Sequence, residues 1–175
     1  VATTDGIVLF EIPSAVGTRV VAVDPQRGVL WAYGAGYLSA FDFAGTVRVR
    51  VLVPASAGTS EDDDTHLALI VDTTDGSVWL GRHKTLYHFS ADGTVRPALS
   101  LADKIQALTF DSKRQWLWVS TEHNLAAYDS LLAIVAVIDP NDKKKDLRDI
   151  AFDHFLDQLW VATEKELRRY DASGT

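Results

Sequence analysis

Short hydrophobic runs and polar turns alternate along most of this chain. Residues 20–23, 29–33 and 47–53 are three such runs, and the segments between them contain the Gly, Pro and Asp residues that favour turns. In residues 47–51 Val alternates with Arg, which is the period of a strand with one solvent-exposed face. Short strands separated by turns every ~8–12 residues predict an all-β fold, either a sandwich, a barrel or a propeller.

One motif recurs four times. An Asp is followed seven residues later by Trp, and ten residues after that by Phe or Tyr. The four sets are Asp24/Trp31/Phe41, Asp72/Trp79/Phe89, Asp111/Trp118/Tyr128 and Asp153/Trp160/Tyr170. The spacing is constant within the motif and varies between motifs, which indicates a rigid unit joined by loops of different length. We predict repeat units at about 19–54, 66–99, 105–138 and 147–175.

The number of predicted strands indicates how the units are arranged. The first three units contain four predicted strands each and the last contains three, while residues 6–12 (Gly-Ile-Val-Leu-Phe-Glu-Ile) supply one more. Four-stranded repeats of ~40–50 residues are typical of a β-propeller. We therefore predict a single domain over 1–175, a β-propeller of four four-stranded blades, in which strand 6–12 completes the last blade and removes an open sheet edge. The alternative is an eight-blade ring made by two chains, and hence a homodimer.

Several strands also resemble known propeller repeats. Residues 159–163 (Leu-Trp-Val-Ala-Thr) and 167–171 (Leu-Arg-Arg-Tyr-Asp), like residues 117–121 and 125–129, resemble the propeller repeats of two-component-system sensors. Residues 20–24 (Val-Val-Ala-Val-Asp) are similar to the start of an NHL repeat. The resemblance implies a propeller and favours a periplasmic or extracellular location. It does not specify a ligand, because these families serve sensing, scaffolding and occasional catalysis.

The composition of the chain argues against several kinds of binding partner and site. The net charge of −7 argues against binding to nucleic acid or to an anionic membrane surface. There is no Cys, which excludes disulfides and thiolate metal sites, and no apolar run approaches the ~18 residues of a membrane-spanning helix. The chain begins with Val and contains no Met, so we interpret it as a processed or excised piece.

The motif residues themselves have structural explanations. The Trp residues and their aromatic partners are large enough to fill the space between splayed blades, and their presence in every unit favours that role over a ligand platform. Each motif Asp ends the first strand of its unit, where its carboxylate can accept hydrogen bonds from the backbone of the following turn. We therefore look elsewhere for a binding site.

A second set of polar residues precedes the motif Asp residues. The position five residues before each Asp holds Arg in two units, Gln in one and Leu in one. In a propeller this position lies at the start of the innermost strand, at the mouth of the central channel. Guanidinium and amide groups gathered there suit a carboxylate or phosphate ligand. With two neighbouring residues included, the predicted ligand-binding residues are Arg19, His66, Gln106, Arg148 and Asp149.

The sequence contains no motif typical of catalysis: no nucleophile elbow, no phosphate-binding Gly loop and no zinc signature. Our first hypothesis is a non-catalytic binding or sensor and scaffold module, without a cofactor, that binds a partner protein or a small anion. It would use the channel mouth and the acidic loop 56–64.

Two other hypotheses stay open. The first is a lyase or a lactonase-like hydrolase with a metal on the axis, bound by some of His66, His83, His123 and Glu122, although these residues have no diagnostic metal-ligand spacing. The second is a purely structural or engineered propeller fragment with no ligand of its own.

Overall fold

Antiparallel strands make up all the regular secondary structure of the computed structural model, which describes residues 17–55, 66–138 and 147–171. The fifteen strands are β1 (Thr18–Asp24), β2 (Val29–Gly34), β3 (Tyr37–Asp42), β4 (Val47–Leu52), β5 (Leu67–Val71), β6 (Val78–Arg82), β7 (Thr85–Phe89), β8 (Leu99–Ser100), β9 (Ile105–Asp111), β10 (Trp116–Thr121), β11 (Leu125–Tyr128), β12 (Ile134–Ile138), β13 (Leu147–Asp153), β14 (Gln158–Thr163) and β15 (Leu167–Asp171).

The strands form four sheets, and within each sheet neighbours in sequence are neighbours in space. Sheet 1 contains β1–β4, sheet 2 contains β5–β8, sheet 3 contains β9–β12 and sheet 4 contains β13–β15. This arrangement confirms the all-β prediction. The predicted closing strand, residues 6–12, lies outside the described residues, as do residues 172–175 and the acidic loop 56–64.

The fourth strand of sheet 2 is much shorter than the sequence pattern predicts. Only Leu99 and Ser100 form β8, although an isolated bridge joins Phe89 to Val95. Pro97 lies between these two contacts and has no N–H to donate, so it interrupts the hydrogen-bond ladder. The residue before it, Arg96, still donates its backbone N–H to the carbonyl of His88 at 2.9 Å.

The motif Asp residues cap the turns after the first strands, as predicted. Oδ1 of Asp24 accepts hydrogen bonds from the N–H groups of Gln26 and Arg27 at 3.0 and 3.1 Å. Equivalent bonds reach Asp72 from Thr74 at 2.8 Å and reach Asp111 and Asp153 from the two or three residues after each. The fourth residue after each Asp has a positive φ, and the four are Gly28, Gly76, Gln115 and Asp157. Four turns of one geometry therefore lie along one edge of the molecule.

The sheets pack face to face in chain order. Their first strands are adjacent in the series β1, β5, β9, β13. One hydrophobic cluster lies between sheets 1 and 2, a second between sheets 2 and 3, and a third between sheets 3 and 4. Trp31, Trp79 and Trp118 are buried in these clusters, each on the face of its sheet directed toward the next sheet in sequence. The prediction that these aromatics fill the space between units is confirmed.

The two ends of the series are different. Within the described ranges, no hydrophobic cluster joins sheet 4 to sheet 1, and β1 does not pack on β13 as the other first strands pack on their neighbours. Val23 on β1 is 50% exposed, whereas its equivalents Val71, Phe110 and Phe152 are 6, 7 and 8% exposed. Trp160 is only half-buried. The described residues thus form an open series of four sheets with one uncovered face at each end.

Candidate functional site

Three of the five predicted binding residues occupy β-bulges. Arg19, Gln106 and Arg148 are each the extra residue of the first strand where the pairing register shifts. The equivalent residue of sheet 2, Leu67, pairs regularly with Arg82. A bulge changes the direction of a side chain and is common next to functional sites. The first strand is therefore irregular at this position in three of the four sheets.

The other predicted residues lie on the same edge. The carbonyl of His66 accepts a hydrogen bond from His83 N at 3.1 Å, and the carbonyl of His83 accepts one from Ile105 N at 2.7 Å, so the turn between β6 and β7 joins the starts of β5 and β9. Asp149 uses Oδ1 to accept a bond from Ile150 N at 2.8 Å.

The five residues are distributed over the four sheets. Arg19 and Arg148 lie on β1 and β13, the first strands of the two ends of the series. His66 directly precedes β5 and Gln106 lies on β9, and both are half-buried. No group of three or more His, Asp or Glu side chains within the described residues is placed to hold a metal ion, and His66, His83, His123 and Glu122 form no such group. Nor does this part of the chain contain a helix long and apolar enough to cross a membrane.

The opposite edge, which carries the Asp-capped turns, contains a second set of charged contacts. Between sheets 1 and 2, Arg27 donates from Nη1 to Oδ2 of Asp24 at 3.0 Å and to the carbonyl of Thr73 at 2.9 Å. Its Nη2 donates to the carbonyl of Thr74 at 2.9 Å. The guanidinium thus binds the turn of its own sheet to the turn of the next one. We call this arrangement the arginine clamp.

Sheets 3 and 4 are joined by the same device. Arg114 lies three residues after Asp111, as Arg27 lies three residues after Asp24, and its Nη1 donates to Oδ2 of Asp111 at 2.9 Å. It also donates to both carboxylate oxygens of Asp157 at 2.7 Å. These hydrogen bonds lower the pKa of Asp157 to about 2, because they stabilise the ionised carboxylate.

The junction between sheets 2 and 3 lacks the clamp. Its equivalent position holds Asp75, whose Oδ1 accepts a bond from Ser77 N in its own turn at 2.8 Å. Asp72 is only 5% exposed, and within the described residues its carboxylate accepts a hydrogen bond from Thr74 N alone. The two turns are joined instead by a neutral contact from Gln115 Nε2 to Thr74 Oγ1 at 3.1 Å.

A cavity of about 50 Å³ lies at this junction. It is lined by Asp72, Asp75, Ser77, Trp79, His88, Arg96, Phe110, Gln115, Leu117, Tyr128, Asp129 and Ser130. This volume is large enough for a few water molecules or a small polar group. Three carboxylates and one guanidinium line it, so its charge is negative on balance.

One wall of the cavity is aromatic and uncharged. The rings of Trp79 and His88 stack with centroids 3.6 Å apart and an interplanar angle of 10°. Burial, with a smaller contribution from the Arg96 guanidinium, lowers the pKa of His88 to about 4, so the imidazole is neutral at neutral pH. Nη1 of Arg96 lies 3.4 Å from Nε2 of His88, and Nε of Arg96 donates to Ser90 Oγ at 2.9 Å. Burial also raises the pKa of Tyr128 on the opposite wall.

The residues of this cavity were not among the predicted binding residues. A signal was nevertheless present in the sequence, because the third position after the motif Asp is Arg27 in the first unit, Asp75 in the second, Arg114 in the third and Leu156 in the fourth. Comparison of the chain with models of known protein families and with curated proteins returns no match. The kind of ligand that each edge of the molecule could bind is therefore inferred from the geometry of its residues.

Proposed function

We propose that this chain is a non-catalytic binding module of the β-propeller type, in which each sheet is a blade and the two open ends bind a second copy of the chain. The observation that carries the proposal is the exposure of Val21 and Val23 on β1, at 54 and 50%. The equivalent positions of every other sheet are covered by the preceding sheet. Sheet 1 thus presents a face built for a blade that the described residues do not supply.

The sheets have the construction expected of propeller blades. Each is an antiparallel meander whose first strand is adjacent to the first strands of its neighbours, and each internal junction buries a Trp of one sheet against the following sheet. Residues at the same repeat position therefore have equivalent places in their sheets. A closed ring of such units removes the uncovered faces and edges that favour aggregation.

The face of sheet 4 complements that of sheet 1. In the junction of sheets 3 and 4, Trp118 packs in one cluster with Ile150, Phe152 and Leu159. The equivalents of these three on sheet 1 are Val21, Val23 and Leu30, and the equivalent of Trp118 on sheet 4 is Trp160. Trp160 of one copy would pack on Val21, Val23 and Leu30 of the other by the contact that the molecule already makes three times.

We propose that a second copy of the chain covers these faces, because the contact joins the sheet 4 face of one copy to the sheet 1 face of the other, head to tail. Such an interface joins unlike faces and closes into a ring when the rotation per unit allows it. Two series of four blades give eight, which lies within the ~4–8 blades of known propellers. The apolar character of the paired residues supports a stable rather than a transient interface.

A small anion, bound at the edge of the molecule that carries the bulges, is a second candidate ligand. The recurrence of a bulge at Arg19, Gln106 and Arg148 favours it. In the proposed ring, sheet 4 of one copy packs on sheet 1 of the next copy, so Arg148 of the first lies close to Arg19 of the second. Substituting both arginines by Met would then abolish phosphate binding measured by calorimetry without changing the assembly.

Sedimentation equilibrium tests the proposal, because the ring has twice the chain mass of 19.2 kDa. Val23→Glu should produce a monomer, since it places a charge in the new junction. Val137→Glu is the matched control, because Val137 is also exposed but lies on the outer strand β12. A wild-type mass of one chain at all concentrations, or dissociation by both substitutions alike, would contradict the proposal.

A further inference from the structure

The cavity between sheets 2 and 3 is found at the one internal junction without an arginine clamp. At the other two junctions, a guanidinium bonds to Oδ2 of the motif Asp and to the turn of the next sheet. At this junction the same carboxylate, that of Asp72, lines the cavity, and so does Gln115, which occupies the repeat position of Asp157. The groups that would accept a guanidinium are present, but the clamp position of this unit holds Asp75 and not an arginine.

We propose that this cavity binds one guanidinium group of a ligand, which takes the place of the missing clamp. The inference does not depend on ring formation, because every residue of the cavity belongs to sheets 2 and 3 of one chain. Asp72 would accept from the guanidinium at the oxygen that Asp24 and Asp111 use for Arg27 and Arg114. Asp75 and Asp129 would supply further negative charge.

The charge of the cavity excludes a simple anion. An anion would contact Arg96 but would also face the carboxylates of Asp72, Asp75 and Asp129. The Arg96 guanidinium is turned toward the imidazole of His88 and the hydroxyl of Ser90, which leaves the three carboxylates as the dominant charge. A cation is therefore the expected occupant.

The walls favour a guanidinium over a metal ion or an ammonium group. Within the described residues, no three or more His, Asp or Glu side chains are grouped so that they could hold a metal ion. The aromatic rings of Trp79, Phe110 and Tyr128 offer flat apolar surfaces, and a planar, weakly hydrated guanidinium packs on such surfaces better than an ammonium does. Arg114 shows the same preference, because its guanidinium carbon lies 5.8 Å from the centroid of the Trp116 ring.

Titration with methylguanidinium, followed by the NMR signal of the Trp79 indole N–H, tests the proposal. We expect a saturable shift in the wild-type chain and a Kd at least about tenfold lower than for methylammonium. Asp72→Asn keeps the turn-capping oxygen and should weaken methylguanidinium binding about tenfold or more, because it removes a charge-assisted hydrogen bond. Asp42→Asn, at an exposed Asp-capped turn of sheet 1, is the matched control and should leave the Kd unchanged.

Asp75→Arg provides a second variant, which leaves the Asp72 carboxylate and its bond from Thr74 N in place. It restores the clamp residue at the position used by Arg27 and Arg114, so its side chain should fill the cavity and abolish binding of methylguanidinium. No saturable shift in the wild-type chain would overturn the proposal. An equal Kd for methylammonium, or binding that survives in both Asp72→Asn and Asp75→Arg, would overturn it as well.

The same titration separates two sources of the guanidinium. A capped Gly-Arg-Gly peptide that binds at least several-fold more tightly than methylguanidinium identifies an arginine side chain of a partner peptide as the ligand. Equal or weaker binding of the peptide identifies a free small guanidino compound. Both results support a guanidinium site, and failure of both probes to bind contradicts it.

Discussion

The junction of sheets 3 and 4 and the junction of sheets 2 and 3 are built from the same repeat but differ at one position. In the first, Arg114 connects a fully buried carboxylate, Asp111, to Asp157 of the next sheet. In the second, Asp75 occupies that position and a cavity lies where the guanidinium would be. A repeat protein can thus form a polar cavity by omitting one contact that its other units make.

Removal of the Arg114 clamp should have the largest effect on stability. Arg114→Met leaves the Asp111 carboxylate buried without its charged partner, which we expect to lower the free energy of unfolding by about 2–3 kcal/mol. Urea denaturation followed by Trp fluorescence measures the change. A loss below about 0.5 kcal/mol would show that the clamp does not stabilise the junction.

Acidification should loosen the two junctions in a fixed order. The pKa of His88 is about 4 in the folded chain, whereas the ordinary value for histidine, which applies to the unfolded chain, is 6.5. The unfolded state therefore binds more protons than the folded state between these two pH values. Stability should therefore fall by roughly 2 kcal/mol as the pH drops from 6.5 to 4. Asp157 has a pKa of about 2, so its contribution is present above its ordinary 3.8 and is lost only as the pH falls below that value.

The indole N–H signals of Trp79 and Trp118 report the two junctions separately. We expect the Trp79 signal to change at the higher pH. His88→Phe keeps an aromatic ring on Trp79 and should flatten the pH dependence of stability, whereas His154→Gln, which removes an exposed histidine, should not. A steep dependence that persists in His88→Phe assigns the titration to another group.

Introduction of the missing arginine should have a smaller and opposite effect. Asp75→Arg gains hydrogen bonds to Asp72 and loses the bond from Ser77 N to Asp75. We expect a net gain of about 1 kcal/mol in the free energy of unfolding, or an increase of about 2–4 °C in Tm. A lower Tm would indicate that the cavity cannot accept the side chain.

The smallest effect is expected at the rim of the clamped junction. Lys113 forms an ion pair with Asp157, with 3.4 Å between Nζ and Oδ2, and the lysine side chain is 72% exposed. Such pairs contribute little, because water and salt screen them. Lys113→Ala should change the free energy of unfolding by less than about 0.5 kcal/mol, which makes it the control for Arg114→Met. A loss comparable to that of Arg114→Met would mean that net charge, not the clamp geometry, holds the two turns together.

Much of the fold could be predicted from the sequence because its repeat is strict. The Asp-to-Trp spacing fixed where the first and second strands of each unit pair, and the turn caps followed from the chemistry of Asp. The short β8 was missed, because the effect of Pro97 depends on which backbone groups face the neighbouring strand. Closure by residues 6–12 remains a prediction.

The site was harder to predict, because a cavity depends on which sheets are neighbours and which face each residue occupies. The approach of Arg96 to His88 results from the isolated bridge before Pro97, which makes the two residues cross-strand neighbours. The convergence of Arg19 and Arg148 depends on ring closure, so it stays a prediction as well. By contrast, the change from Arg to Asp at position 75 could have been found by aligning the four units.

A crystal structure of the Asp75→Arg variant tests most directly whether the cavity is the vacant place of a guanidinium. We predict that the new guanidinium lies between Oδ2 of Asp72 and the turn of sheet 3 at Gln115, in the position of the Arg114 guanidinium at the next junction, and that the cavity is filled. A side chain directed into solvent above an unchanged cavity would contradict this account.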